Sequence, residues 1–376
     1  MMSKRMRRGV FLVLAVALGV MAMLKYCPYF THDTTVVEWL DGELISDGPY
    51  IFTDQDSIQI KWVNQSQVHA QAMASDDVLR IIRNPSFEVK VEDLDVLKQV
   101  GASNYDGVEN IAVLSDIHGQ YQLFVDLITA NGIVNEQGDW NYKKGHLVII
   151  GDAFDRGAQV SETLWHIVKL KLQAEEAGGK VHYLLGNHDL MVLNADLRYI
   201  NPKYNEVETL LGHSYDQLFG KMSLMGQWLR ASPVVIRING ILFNHAGLSP
   251  ALVQANMSID RINSVFAQRI IDNTKDSITA DAQLSLLARS QGPIWYRGYF
   301  RDTTLTTAGV DSILSHFNAK RIVVGHTSMD EVKVYFDTKV LAADTSIKRG
   351  KKGEILFIEN EKYYQAGLDG VKRLLW

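Results

Sequence analysis

The sequence predicts an α/β fold, and three features carry that prediction. Ile111-Ala-Val-Leu, His146-Leu-Val-Ile-Ile and Val181-His-Tyr-Leu-Leu are short, almost continuously apolar runs, as in strands buried on both faces. Helical spacing follows the first run from Gln120 to Ala130 and the second from about Val160 to Ala177, and a helix is expected after the third. Each run also ends in a cluster of glycine and polar residues, at the place where open α/β sheets bind ligands. Strands alternating with helices imply βαβ units around a buried sheet.

The remaining elements follow in order. Pro233-Val-Val-Ile-Arg-Ile, Ile241-Leu-Phe and Arg321-Ile-Val-Val are expected to be further strands, with mostly helical chain at 196–230 and 251–290. Val332 to Phe336, Val340 to Ala343 and Glu354 to Ile358 are expected to be closing antiparallel strands. Upstream, Tyr50-Ile-Phe-Thr, Ser57 to Val63 and Phe87 to Val91 alternate apolar and polar residues and predict a β-rich region without a cluster of metal-type ligands. The expected organisation is an N-terminal segment at 1–30, a β-rich region at 31–108 and the α/β domain at 109–376.

With 376 residues, 47% of them hydrophobic, the chain can bury one large core or two smaller ones. Its net charge of -5 gives no bulk reason to expect a nucleic-acid partner. The single cysteine, Cys27, excludes an internal disulfide framework. It also excludes a cysteine nucleophile, because it lies beside the apolar N-terminus, far from the polar clusters. Lys4, Arg5, Arg7 and Arg8 precede an uncharged apolar run from Gly9 to Leu24, which ends at Lys25. As a helix that run would be roughly 24 Å long, between a signal-peptide core and a spanning helix. Positive charge ahead of it keeps that end cytoplasmic. The rest of the chain is therefore expected to be exported, either periplasmic after cleavage or anchored to the inner membrane through this segment; a buried core helix is the alternative.

The polar clusters define the chemistry. The strand ends run into Asp116-Ile-His118-Gly, Gly-Asp152-Ala-Phe-Asp155-Arg156-Gly, Gly-Asn187-His188-Asp189, Asn244-His245-Ala-Gly and Gly-His326-Thr. Asp116, His118, Asp152, Asn187, His245 and His326 offer oxygen and imidazole ligands and no thiolate, which suits divalent zinc, manganese or iron. Six such ligands exceed the needs of one tetrahedral zinc. A carboxylate bridging two ions would account for the set, and Asp152, at the central turn, is the expected bridge.

In this order the clusters resemble the signature of the PPP-type phosphatases, within the calcineurin-like metallophosphoesterases. Asp155-Arg156-Gly157 is the narrower mark. His245-Ala-Gly-Leu-Ser-Pro and Gly292-Pro-Ile-Trp-Tyr-Arg297-Gly are most similar to the bacterial Shewanella-like protein phosphatases. The resemblance spans about residues 110 to 345 and implies a four-layer α/β/β/α core with two facing mixed sheets. It also implies two divalent metal ions about 3.5–4 Å apart, sharing a water or hydroxide that attacks phosphorus. Asp116, His118 and Asp152 would hold one ion, and Asp152, Asn187, His245 and His326 the other. Arg156 and Arg297 would grip phosphate oxygens, His188 would protonate the leaving oxygen, and Asp155 would orient His188. For Arg297, the neighbouring Trp295, Tyr296, Tyr299 and Phe300 leave cation–π packing as the alternative.

Two departures stand out. Asp189 occupies a position where the family usually has Glu, and no tyrosine-containing motif of the eukaryotic Ser/Thr branch follows His326. The implied activity is phosphomonoester hydrolysis on a phosphorylated protein or peptide, with phosphotyrosine and phosphoserine/threonine both open. A nucleotide or dinucleoside-polyphosphate phosphoesterase and a non-catalytic, metal-stabilised binding protein are the alternatives. The basic run at Lys348 to Lys352 is expected to be a solvated turn, with a polyanion site that helps to select substrate as the alternative.

Overall fold

The computed structural model describes residues 33–38, 44–54, 57–82 and 85–376; the expected export segment at 1–30 lies outside the described residues. The three apolar runs become the parallel strands Lys180–Tyr183, His146–Ile149 and Asn110–Leu114. They form half of a six-stranded sheet completed by Ile355–Glu359, Lys362–Ala366 and Arg373–Leu374, all antiparallel. A second six-stranded sheet runs in the order Lys333–Tyr335, Val340–Ala342, Arg321–Val324, Ile241–Asn244, Val235–Ile238 and Asn104–Tyr105.

Period-two alternation assigns each strand face to a layer. Ile111, Val113, Val148 and Leu356 of the first sheet cluster with Ile236, Phe243, Val323 and Leu341 of the second. That contact is the core between the sheets. Ala112, Leu114, Leu147 and Ile149 point the other way and join a separate cluster with Phe124, Leu127, Leu164 and Val168 of the helices. The architecture is thus helix, sheet, sheet, helix, with both faces of the central strands covered, as their continuous apolarity predicts. Each such side chain, fully buried, contributes about 1.5–3 kcal/mol relative to exposure.

The helix Val160–Glu176 is buried almost all round over its first three turns, including Leu164, Trp165, Ile167 and Val168. One face meets the sheet. The other meets the N-terminal β-rich region, where Trp165 Nε1 donates to the Pro49 carbonyl at 3.0 Å. That region holds two three-stranded sheets, one of Asp47–Asp54, Ser57–Asn64 and Gln67–Met73, the other of Thr34–Glu38, Val78–Ile82 and Phe87–Lys90. Strands form at Tyr50, Ser57 and Phe87 as expected; Phe87–Lys90 buries alternate residues, whereas Tyr50 and Ile51 are both buried.

One expectation on strand direction fails. Val340–Ala342 pairs antiparallel only with Lys333–Tyr335, and runs parallel to Arg321–Val324. Apolar pattern fixes which face is buried, not which way a strand runs. Here the chain turns back through the edge strand before re-entering the sheet. Among the described residues, no helix is long and apolar enough to cross a membrane.

Candidate metal centre

The strands Asn110–Leu114, His146–Ile149 and Lys180–Tyr183 end at one rim of the first sheet, and Ile241–Asn244 and Arg321–Val324 at the adjoining rim of the second. Hydrogen bonds close the gap between them. The Asp116 carboxylate accepts from His326 N–H at 2.9 Å, and His245 Nδ1 lies 2.8 Å from the Ile150 carbonyl. Tight strand-to-loop turns aim the side chains inward. Asp116, His118, Asp152, Asp155, Arg156 and His326 all have positive φ, between 50° and 71°. Non-glycine residues rarely adopt that conformation, which costs of order 1 kcal/mol or more and gathers at functional sites.

Two glycines are required by close approach. A Cβ on Gly186 would sit 2.1 Å from Asp152 Oδ1, and one on Gly151 would sit 2.4 Å from Gly186 N. Asp189, from the helix Asn187–Leu193, then ties the turn together. Its carboxylate accepts from Asp152 N at 2.9 Å, Ala153 N at 3.1 Å and Gly186 N at 2.7 Å. It orients the ligand-bearing backbone and is not itself aimed at the pocket.

The six expected ligands come together around Asp152. His118 Nδ1 donates to the Phe154 carbonyl at 2.6 Å, which leaves Nε2 with its lone pair 3.5 Å from Asp152 Oδ2. His245 Nδ1 is likewise spent on Ile150, and its Nε2 lies 3.3 Å from Asp152 Oδ2 and 2.9 Å from Asn187 Oδ1. Asp116 Oδ2 accepts from the Ser115 hydroxyl and from His326 N–H, while Oδ1 lies 3.8 Å from His118 Nε2. Ligand atoms of His118, Asp152 and His188, and of Asp152, His245 and His326, lie within 4.8 Å of one another. Asp152 belongs to both groups.

The donor set fits divalent cations. His118 Nε2 and His326 Nε2 are buried and have no hydrogen-bond partner among the described residues. Leaving such atoms unpaired costs about 1–3 kcal/mol each, which a cation would relieve. Asp116 and Asp152 are both 1% exposed. Burial pushes their carboxyls up, but His118, His245 and Lys348 outweigh it at Asp116, as His245 and His188 do at Asp152, and both are held well below the usual range. Burial likewise lowers His245, yet the Asp152 charge raises it to about 9. Burial and the neighbouring positive charges of His245 and Arg297 push His326 far down, so its imidazole is neutral, the form that ligates metal.

The other four expected residues border this cluster. His188 Nδ1 lies 2.5 Å from Asp155 Oδ2, and its Nε2 lies 3.4 Å from an Arg156 Nη. Burial lowers the His188 pKa, but the Asp152 and Asp155 carboxylates overcome this and raise it above the ordinary imidazole value. Arg297 donates to the His326 carbonyl and to Thr327 Oγ1, both at 3.1 Å, which fixes its fork beside the cluster. Among the described residues no aromatic ring takes Arg297 as a cation–π partner; Trp295 instead packs edge-on against His326. A cavity of about 350 Å³ opens over Asp116, His118, Asp152, Arg156, His188 and Arg297.

Arg198 and Tyr199, which the sequence did not single out, also line that cavity, as does Lys348 of the basic run. Lys348 overturns the expectation of a wholly solvated basic turn. Its Nζ lies 2.9 Å from Asp344 and 3.4 Å from Asp116, whereas Lys351 and Lys352 are exposed. The signal was available: Asp344 follows the strand Val340–Ala342 just as the ligands follow theirs.

Comparison with known proteins agrees with this geometry. The calcineurin-like phosphoesterase family pattern matches residues 109–330. The crystal structure of a cold-active protein-tyrosine phosphatase from a psychrophilic Shewanella species is 38% identical, covers 88% of this chain and 100% of that one, and superposes with a TM-score of 0.83. Shewanella-like protein phosphatase 1 of Plasmodium berghei is 28% identical over 247 residues, 61% of this chain and 66% of that protein. A symmetrical bis(5'-nucleosyl)-tetraphosphatase of Shewanella loihica is 34% identical over 116 residues, 30% of this chain and 37% of its own length. Sequence pattern over more than half the length and near-complete superposition on a solved phosphatase lead to one conclusion: the chain belongs to the calcineurin-like phosphoesterase family.

Proposed function

We propose that this metal-dependent phosphatase hydrolyses phosphomonoesters on proteins, phosphotyrosine and/or phosphoserine/threonine, and that it does so outside the cytoplasm. Asp116, His118 and Asp152 would hold one divalent ion, and Asp152, Asn187, His245 and His326 the other. Divalent ions bound there would supply a lowered pKa for a ligated water and charge neutralisation on the phosphoryl group. Arg156 and Arg297 grip the phosphoryl oxygens from the cavity rim, where a planar guanidinium matches their spacing. His188 gives the proton of its Nε2 to the leaving oxygen. Asp155 holds His188 Nδ1–H, which fixes the ring and favours its protonated form.

The observation that carries this reading is the His188–Asp155 pair, 2.5 Å apart, with Arg156 at 3.4 Å, on the edge of the Asp152 cluster. A purely structural metal needs neither an acid nor a phosphate clamp, which disfavours a non-catalytic binding role. The names of the Shewanella and Plasmodium relatives support a phosphoprotein substrate, while the shorter Shewanella loihica match keeps a dinucleoside polyphosphate as the competing substrate. The basic residues Lys4 to Arg8 ahead of an apolar run support export.

The test is a side-by-side assay of the purified protein, loaded in turn with manganese, zinc or iron, on phosphotyrosine peptides, phosphoserine peptides and diadenosine tetraphosphate. The expected outcome is a higher kcat/KM on phosphopeptide than on the dinucleotide with at least one metal. Higher activity on the dinucleotide with every metal would overturn the phosphoprotein reading.

A further inference from the structure

A second cavity, of about 660 Å³, adjoins the metal centre and shares Asn187, Arg198, Trp295 and Arg297 with it. None of the catalytic steps above uses the rest of it. Its floor is apolar: Leu190 and Met191 of the helix Asn187–Leu193, with Ile278 and Tyr296, all nearly buried. Its rim is basic. Arg198, Lys275, Arg289, Arg297 and Arg301 line it, against the carboxylates Asp196 and Asp302. This is a concentration of positive charge on a chain whose net charge is -5.

The partners of those cations show which are committed. Arg198 is doubly bonded to Asp196, at 2.6 and 2.7 Å. Arg289 reaches the Thr279 hydroxyl, and Arg297 faces the metal centre. The Asp302 carboxylate caps Thr304 instead of neutralising a neighbour. Lys275, on the helix Lys275–Ala280, and Arg301, on the helix Gly298–Arg301, have side chains with no ion-pair or hydrogen-bond contact among the described residues, although the Lys275 charge reaches Asp196, whose carboxylate Arg198 already holds. Arg301 also lies close enough to Arg297 for its charge to add to the lowering of the Arg297 pKa that burial begins. Two cations without a direct ion pair, over an apolar floor that opens onto the Arg297 side of the metal centre, complement an extended chain that carries acidic and apolar side chains.

We infer that this groove binds the polypeptide flanking the phosphorylated residue, seats an apolar side chain on Leu190, Met191 and Ile278, and selects acidic side chains through Lys275 and Arg301. The inference rests on the phosphoprotein reading and adds a sequence preference to it. The experiment uses the full chain, metal-loaded, on pairs of phosphotyrosine peptides that differ only in bearing Glu or Lys within a few residues of the phosphate. The readout is the ratio of kcat/KM for the two peptides within each protein, so any general loss of activity in a variant cancels.

The wild-type ratio is expected to favour the acidic peptide by about tenfold, mainly through KM, and to shrink at high salt. In the double variant Lys275→Glu, Arg301→Glu it is expected to fall to one or invert. A wild-type ratio near one, or a ratio the double variant leaves unchanged, overturns the groove assignment while leaving phosphoprotein hydrolysis standing. Hydrolysis of para-nitrophenyl phosphate or diadenosine tetraphosphate without cleavage of any phosphopeptide overturns both.

Discussion

His188 is pulled in opposite directions. Its side chain is only 9% exposed, which disfavours an imidazolium, yet Asp155 contacts its Nδ1 and Asp152 lies near enough to raise its pKa. The carboxylates win, which favours the protonated ring. His188→Asn is therefore expected to keep the metal content and to lower kcat on an alkyl phosphate about 10²–10⁴-fold, with a smaller loss on para-nitrophenyl phosphate, whose leaving group needs no proton. Unchanged turnover on the alkyl ester would remove His188 from the acid role. At this scale the sequence was highly legible. Metal-type ligands after apolar runs are few in kind, and the glycines beside Asp152 are forced by contacts as close as 2.1 Å. Lys348 was harder to read: its basic run favours a solvated turn, and only Asp344 at the end of the strand Val340–Ala342 signals that its ammonium turns inward.

The elements that carry the site are braced by buried polar contacts behind it. Lys203, on the helix Pro202–Leu211, donates to Asp47 at 3.0 Å and to the Ala158 carbonyl at 2.9 Å, and so links the N-terminal sheets to the loop that follows Arg156. Glu162, in the first turn of the helix Val160–Glu176, lies 3.8 Å from the same ammonium, and its Oε2 is buried with no hydrogen-bond partner among the described residues. Burial, helped by the Asp47 charge and only partly offset by Lys203, raises its pKa from 4.5 to about 7.

The unfolded chain gives up this proton near pH 4.5 and the folded chain near 7, so between these values the folded state binds more protons. Stability is therefore lost as pH rises through that window, and the cost is complete above it. Glu162→Gln is expected to add about 1–2 kcal/mol at pH 8 and close to nothing at pH 5, read as the shift in Tm at the two pH values. Equal shifts at both would show that Glu162 is ionised throughout. Among the elements, buried strands and long amphipathic helices were legible. Gln67–Met73 was not singled out, although Gln67-Val-His-Ala-Gln-Ala-Met alternates, because its apolar positions are small and mostly exposed; the parallel pairing of Val340–Ala342 was not legible, since side-chain pattern is blind to strand direction.

At the scale of the whole molecule, two sheets from distant parts of the sequence meet so that their strand ends form one pocket. The core between them, with Ile111, Val113, Phe243 and Val323, fixes that approach, and the pocket inherits its geometry from it. The four-layer arrangement was legible only through the family resemblance, because apolar periodicity shows that a strand is buried and not which sheet it joins. The groove beside the pocket was not legible at all. Its cations lie at 198, 275, 289, 297 and 301 and become neighbours only when these separate segments fold over the rim.

The central claim is that Asp152 joins two ions in one site. Elemental analysis of the full chain, after loading with manganese or zinc and removal of unbound metal, tests it most directly when wild type and Asp152→Asn are compared. The account predicts two ions per wild-type chain and loss of at least one on substitution, because the amide takes away the shared charge that His118 and His245 both face. A wild-type chain that holds a single ion, or an Asp152→Asn chain that retains two at undiminished affinity, would contradict it.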